Sequence, residues 1–428
     1  MKLGLQIIDK IRGTEILNYY DLLKSNADTD IKQIQTHKLS SLLLEMKCYN
    51  RFYSPLLKDV SIEEITSNPT EVLKRLPIMD KKSIGNNYDY VFTRLKDRPV
   101  QRKKTGGSTG NPFYYYVDKE HLSWFWAYIY FFWHRNSGYE PGDPFITIAG
   151  NSLRTTSRQF IEKTYHLLQN NYFITGDIID KSLKIDTRKT RKAVLLYGYP
   201  SSIINIVRSM PDMTRKTPLI KAIFTTSEQL LPSTRLAIEE AFGVPVYDMY
   251  GANDGGILTC ECSNYDGYHI NDRTCLVETF TNEFGLSELL LTNLSSYSFP
   301  FIRYRVGDIG RLKIEKCDCG IKSARIIDLK GRTRDMIRIP NGKSIHGSFF
   351  NNVFYKFKEI DGYRIVQNKD LSIKIHIHVI NPEAFNEVAK DVFDEISSFL
   401  KDADLTIEQM DEFNPTNDKF KLIESHVV

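Results

Sequence analysis

AVLLYGYPS, residues 193–201, carries the pattern of a strand, a turn and the start of a helix. Ala193 to Tyr197 is an apolar run of strand length, Gly198 and Pro200 interrupt it, and a helical segment follows. The pattern recurs on both sides. Phe145–Ile148 is a strand candidate upstream. Ala222–Thr225 is a third, followed by a helix around Pro232–Ala241, and Val244–Tyr247 is a fourth. Strands alternating with helices predict an α/β fold, a sheet covered by helices. Glu288–Leu294 reads as a further strand in a more β-rich section.

Working outward, residues 1–75 are rich in Lys, Leu and Ile with helical periodicity, a helical lead-in. Ser61 is the expected N-cap of one helix there, with Glu64 completing a capping box. Lys330-Gly331-Arg332 marks a break. Beyond it Leu371, Ile373, Ile375, Ile377 and Val379 alternate along one strand face, leaving His376 and His378 on the polar face, and a helix follows at Pro382–Leu400. The expected organisation is a large domain over 1–330 and a small α+β domain over 331–428.

The chain has 428 residues, 41% hydrophobic and 26% charged, as in globular proteins of more than one domain. A net charge of +4, with no basic stripe interleaved with aromatics, gives no case for nucleic acid. The most apolar window, Leu122–Trp133, is shorter than the roughly 20 residues that span a bilayer, so a buried aromatic helix is expected there. Charges interrupt the N-terminus before a signal-peptide core forms, and a cytoplasmic location is expected. Six cysteines in such a chain are not a disulfide framework, and four of them fall in two Cys-x-Cys pairs.

The richest local signal is KTGGSTGNP, residues 104–112. Its three glycines let backbone N–H groups approach an anion, and Thr105, Ser108 and Thr109 add hydroxyl donors, which suits a polyphosphate. It lacks the Gly-Lys-Ser/Thr ending of a Walker loop. Four segments follow in order: YDMYGAND at 247–254, FIRYRVGD at 301–308, GRTRDMI at 331–337 and PTNDKFK at 415–421.

In order and spacing these five segments resemble the adenylate-forming superfamily of acyl-CoA synthetases, luciferases and peptide-synthetase adenylation domains. Within it the chain looks closest to the phenylacetate–CoA ligase-like and capsule-biosynthesis CapK-like branch, from about Leu76 to the C-terminus. The resemblance implies that Thr105, Gly106, Gly107, Ser108, Thr109 and Gly110 close over the phosphates of ATP. It implies that Ser227 and Glu228 lie beside adenine and that Tyr250 and Gly251 pack on the nucleotide. Asp254 would help place Mg²⁺, Asp308 would accept from the ribose hydroxyls, and Arg332 would support the ribose and phosphate side. Arg334 would sit at the interdomain hinge, and Lys419 would reach into the site during adenylation. Joining a carboxylate to the α-phosphate brings two anions together, and these residue types neutralise that charge.

Several positions depart from the family pattern. Gly106 replaces a Ser or Thr, Asn111 a Lys, Asp254 a Glu and Arg334 an Asp. Asn417-Asp418 replaces Ser-Gly ahead of the lysine, and Lys421 lies two residues beyond Lys419, the residue favoured by register.

Cys262, His269, Cys317 and Cys319 make a Cys₃His set of the kind that holds structural zinc, and similar positions occur in the resembled branch. Cys260 is an alternative to Cys262, while Cys48 and Cys275 read as ordinary thiols. The resemblance thus implies carboxylate activation to an acyl-adenylate, then transfer to CoA or an amine, in the CapK-like branch for cell-surface polysaccharide. The alternative is an inactive, zinc-stabilised binding module of the same fold. The acid itself and the oligomeric state are not legible in the sequence.

Overall fold

The computed structural model describes residues 2–25, 30–93, 100–104, 113–149, 159–175, 194–209, 220–282, 285–332, 336–340, 344–346, 350, 353–354, 357, 359–400, 402–411 and 423–427. The chain divides into two compact units. The large one comprises 1–105, 113–306 and 310–328; the small one comprises 106–112, 307–309 and 329–428.

The large unit begins with the helices α1 (Leu3–Arg12), α2 (Ile16–Ser25) and α3 (Ile31–Tyr49). Short helices follow: α4 (Tyr53–Leu56), α5 (Ile62–Ser67), α6 (Pro69–Arg75), α7 (Lys81–Asn86) and α8 (Tyr88–Val91). Ser61 caps α5 by accepting from the Glu64 N–H at 3.0 Å. Only half of the expected capping box forms, because the Glu64 carboxylate turns to Arg75 instead. An antiparallel hairpin, β1 (Val100–Lys104) and β2 (Tyr114–Asp118), leads into α9 (Lys119–Ser137).

Next comes an all-parallel five-stranded sheet. Its strands are β3 (Phe145–Ala149), β4 (Asn171–Thr175), β5 (Val194–Gly198), β6 (Ile220–Thr226) and β7 (Val246–Met249), in the order β4-β3-β5-β6-β7. The helices α10 (Gln159–Gln169), α11 (Pro200–Ser209) and α12 (Pro232–Phe242) alternate with these strands. The central strand β5 is buried at every position because both its faces are covered. Leu195, Tyr197 and Phe224 pack with α9 on one side, while Val194, Leu196 and Ile223 pack with Ile203, Ile206 and Ile238 on the other. β7 starts two residues later than its apolar run because Pro245 has no N–H to give to a ladder.

A second sheet joins β8 (Gly251–Ala252), β9 (Ile257–Glu261), β10 (Tyr268–Ile270), β11 (Cys275–Thr281), β12 (Ser287–Asn293), β13 (Tyr304–Lys313) and β14 (Arg325–Arg332). The small unit holds a two-stranded ribbon, β15 (Met336–Arg338) and β16 (Ser344–His346). Its main sheet has the order β19-β18-β17-β20, from β17 (Ile360–Gln367), β18 (Ile373–Val379), β19 (Leu405–Gln409) and β20 (Ile423–Ser425). The helix α13 (Phe385–Phe399) buries Val388, Val392 and Ile396 in the same core as Ile373, Ile375, Ile377 and Val379. Leu371 does not join that face: at φ +71° it belongs to the preceding turn. His376 is half-buried, 3.5 Å from Glu408.

The apolar window predicted to be a buried helix is the heart of α9. Trp133 is fully buried, its ring 5.1–5.7 Å from those of Tyr139, Phe145, Tyr197 and Phe224. No helix among the described residues is long and apolar enough to cross a membrane. Trp133→Ala should cost about 3–5 kcal/mol, read as a lower denaturant midpoint at unchanged m-value.

Candidate nucleotide site and Cys/His centre

The order β4-β3-β5-β6-β7 places the chain reversal between β3 and β5, with the carboxyl ends of β3, β5, β6 and β7 along one edge. In open α/β sheets that edge, at the switch point, is where ligands bind. The β3–β5 junction is tight. A Cβ on Gly198 would lie 2.0 Å from the Ile148 carbonyl oxygen, and Tyr199 N–H donates to that same oxygen at 3.1 Å. Only glycine allows this approach.

Hydrogen bonds fix the residues following β5, β6 and β7. Ser227 follows β6 in a left-handed conformation, φ +70°. Beside it, the Glu228 carboxylate accepts from Ser201 N–H and Oγ at 3.1 and 2.9 Å, tying this loop to the start of α11. The flanking walls desolvate Glu228 and raise its pKa although its surface is open. One residue beyond β7, the Tyr250 carbonyl accepts from Thr259 N–H and Oγ1 at 2.8 and 3.1 Å. Gly251 lies exposed beside it.

Asp254 accepts from the Tyr304 hydroxyl at 3.0 Å. The turn that carries it is clamped from below. A Cβ on Gly256, at φ +73°, would overlap the Asn293 side chain, and Asn271 Nδ2 donates to the Gly256 carbonyl at 2.9 Å. Ser227, Glu228, Tyr250, Gly251 and Asp254 are thus presented on connected segments. Asp308 lies on β13 and Arg332 ends β14. Thr105 to Pro112, Arg334 and Lys419, and the side chain of Arg332, lie outside the described residues.

Sequence reading missed the group beneath this edge. The Asp248 carboxyl on β7 is buried and accepts from Thr225 Oγ1 at 2.6 Å and from the Tyr268 hydroxyl at 2.8 Å. Burial raises its pKa to about 7. The available signal was an acid set among the apolar neighbours of a strand.

Cys262, His269, Cys317 and Cys319 converge, their ligand atoms all within 4.8 Å of one another. Cys262 and Cys317 sulfurs are 3.7 Å apart, and Cys319 Sγ is 3.2 Å from His269 Nε2. A tetrahedral zinc with ordinary bond lengths separates two sulfurs by about 3.8 Å and sulfur from nitrogen by about 3.6 Å, so the donor set fits that ion. His269 Nδ1 meets Ser323 Oγ at 3.1 Å, which orients the ring, and burial holds the imidazole neutral with a pKa of about 4. Cys260 stays outside the cluster, buried in the aromatic core near Asn136. Cys275 is buried and Cys48 exposed, both as free thiols.

No protein-family model matches the chain. It is 26% identical to Protein CapK of Staphylococcus aureus over 87% of this chain and 84% of that protein. It is 22% identical to the phenylacetate-coenzyme A ligase of Thermus thermophilus, over 85% of this chain and 84% of that one. A 2-hydroxyisobutyryl-CoA ligase, solved in its postadenylation state with an acyl-AMP, superposes with a TM-score of 0.69 at 16% identity, covering 91% of this chain and 88% of that one. The fold is that of the adenylate-forming CoA ligases. In sequence, too, the chain is similar to the phenylacetate–CoA ligase-like and CapK-like proteins of that group over most of its length.

The turn that clamps Gly256 also holds Asp272, whose carboxyl is buried and accepts from the Tyr128 hydroxyl at 3.3 Å. Burial raises its pKa from 3.8 to about 7. A raised acid stabilises the fold below its unfolded-state pKa and loses that contribution as pH rises through the folded value. The wild type should therefore lose stability between about pH 4 and pH 7 through this group. Asp272→Asn, which keeps the Tyr128 bond, should raise Tm relative to the wild type at pH 8 and not at pH 5.

Proposed function

We propose that the chain is an ATP-dependent carboxylate ligase. It joins a carboxylic acid to ATP as an acyl-adenylate with release of pyrophosphate, then passes the acyl group to CoA or to an amine. The observation that carries this reading is the edge formed after β5, β6 and β7, where Ser227 and Glu228, read as lying beside adenine, and Tyr250 and Gly251, read as packing on the nucleotide, follow hydrogen-bonded strands. The long match to phenylacetate–CoA ligases supports it.

On this reading the Thr105–Gly110 loop holds the phosphates with backbone N–H groups, a grip that Gly106 and Asn111 leave to the main chain. Asp308 accepts from the ribose hydroxyls, and Arg332 supports the ribose and phosphate side. Asp254 and Tyr304 would hold the shell of a Mg²⁺ ion, which when bound supplies neutralisation of phosphate charge. Lys419, carried on the 331–428 domain, stabilises the negative charge that develops at the α-phosphate, and Arg334 lies at the hinge that lets it withdraw. CoA follows from the phenylacetate–CoA ligase resemblance. An amine acceptor, with cytoplasmic work on precursors of cell-surface polysaccharide, follows from the CapK resemblance. The rival reading, an inactive binding module, rests on the departures at Gly106, Asn111 and Asp254.

Labelled pyrophosphate should exchange into ATP only when a suitable carboxylate is present. Lys419→Ala should slow exchange by about 10²–10³-fold, and Lys421→Ala should leave it nearly unchanged. If a panel of aryl, fatty, amino and uronic acids supports no exchange, the ligase reading fails, and ATP binding by calorimetry then tests the inactive module.

The Cys₃His cluster is read as a structural zinc site, since all four donors come from the protein. Elemental analysis should find one zinc per chain. Cys262→Ser should lose it and Cys260→Ala should keep it; the reverse pattern would contradict the assignment.

A further inference from the structure

Asp248 is the meeting point of three segments that the proposed chemistry treats separately. Its carboxyl takes a hydroxyl from Thr225, two residues before Ser227, and another from Tyr268, the neighbour of His269. Its own position is two residues before Tyr250. Its backbone N–H donates to Glu261 Oε2 at 2.8 Å, and Glu261 is the residue between Cys260 and Cys262. Arg235 on α12 closes the group, pairing with both Glu261 oxygens at 2.8 and 2.6 Å. Asn136 at the end of α9 donates to the Glu261 carbonyl at 2.9 Å.

These bonds are short, buried or partly buried, and carried by a charged or highly polar acceptor, the class that holds geometry most tightly. They link Tyr268 and Glu261, the sequence neighbours of His269 and Cys262, to Thr225 and Asp248, each two residues before a loop proposed to face the nucleotide. Leaving the Tyr268 hydroxyl without its acceptor, or the carboxyl without its donor, strands a buried polar group and allows the strand ends to shift.

We propose that Asp248, with Thr225 and Tyr268, is a positioning group that couples the Cys/His centre to the nucleotide edge, so that metal occupancy sets the affinity for ATP. The proposal rests on the reading of that edge as an ATP site and of the cluster as a zinc site. Coupling of this kind is reciprocal: zinc strengthens ATP binding by the factor by which ATP strengthens zinc binding.

The test uses the full chain, with Mg-ATP and zinc as probes. Calorimetry on zinc-loaded wild type, and on protein stripped by a chelator, should show ATP binding weaker by about tenfold after stripping, restored when zinc is returned. Tyr268→Phe and Thr225→Val should retain zinc, bind ATP more weakly than the wild type, and lose most of the difference between loaded and stripped forms. Asp248→Asn, which keeps an acceptor, should fall between these variants and the wild type. Should stripping unfold the chain, release of zinc to a chelator supplies the same answer: ATP should slow it about tenfold in the wild type and hardly at all in Tyr268→Phe. ATP affinity that ignores zinc, or Tyr268→Phe with undiminished coupling, overturns the proposal alone. A zinc-loaded wild type that binds no ATP, or a chain that takes up no zinc, overturns it together with the reading of the corresponding site.

Discussion

A carboxyl group buried between two hydroxyls holds the working edge of the large unit together. Asp248 accepts from Thr225 and Tyr268 and in doing so ties β6 to β7 and both to β10. A parallel sheet gives strand ends at one edge, yet parallel ladders alone leave those ends free to fray. Here the polar group lies one residue before the end of β7 and is buried, where water competes poorly for it. The loops carrying Ser227 and Tyr250 therefore start from fixed points. The same construction explains how exposed residues such as Gly251 keep a defined place.

The surrounding packing serves that edge. On one face of the sheet the aromatic helix α9 buries Trp133 against Phe145, Tyr197 and Phe224 of β3, β5 and β6. Gly198 then lets β5 close on β3 at the switch point. The Cys/His cluster adjoins this core, its four donors within 4.8 Å of one another.

Much of this could be read from residues alone. The runs at 145–148, 193–197 and 222–225 became parallel strands because strands buried on both faces need no alternation. The convergence of Cys262, His269, Cys317 and Cys319 was legible because two Cys-x-Cys pairs and a histidine stand at spacings that metal sites use. What escaped was long-range. Asp248 finds its partners 23 and 20 residues away, and its place in an apolar strand marks it as unusual without naming them. Glu64 was expected to close a capping box, but Arg75 of the next helix competes for its carboxylate. Leu371 fitted the alternation by identity and fell in a turn by conformation. The choice between Cys260 and Cys262 was open in sequence, since two residues apart both can face the same way. Burial of Cys260 in the aromatic core closes it.

The account stands on the formation of an acyl-adenylate at this edge. Its direct test is to trap that species: the protein is incubated with Mg-ATP, a carboxylic acid panel and hydroxylamine, and the products are read by mass spectrometry. The account predicts AMP, pyrophosphate and the hydroxamate of the accepted acid, all dependent on that acid. ATP left intact across the panel, or cleaved to ADP and phosphate, would contradict it.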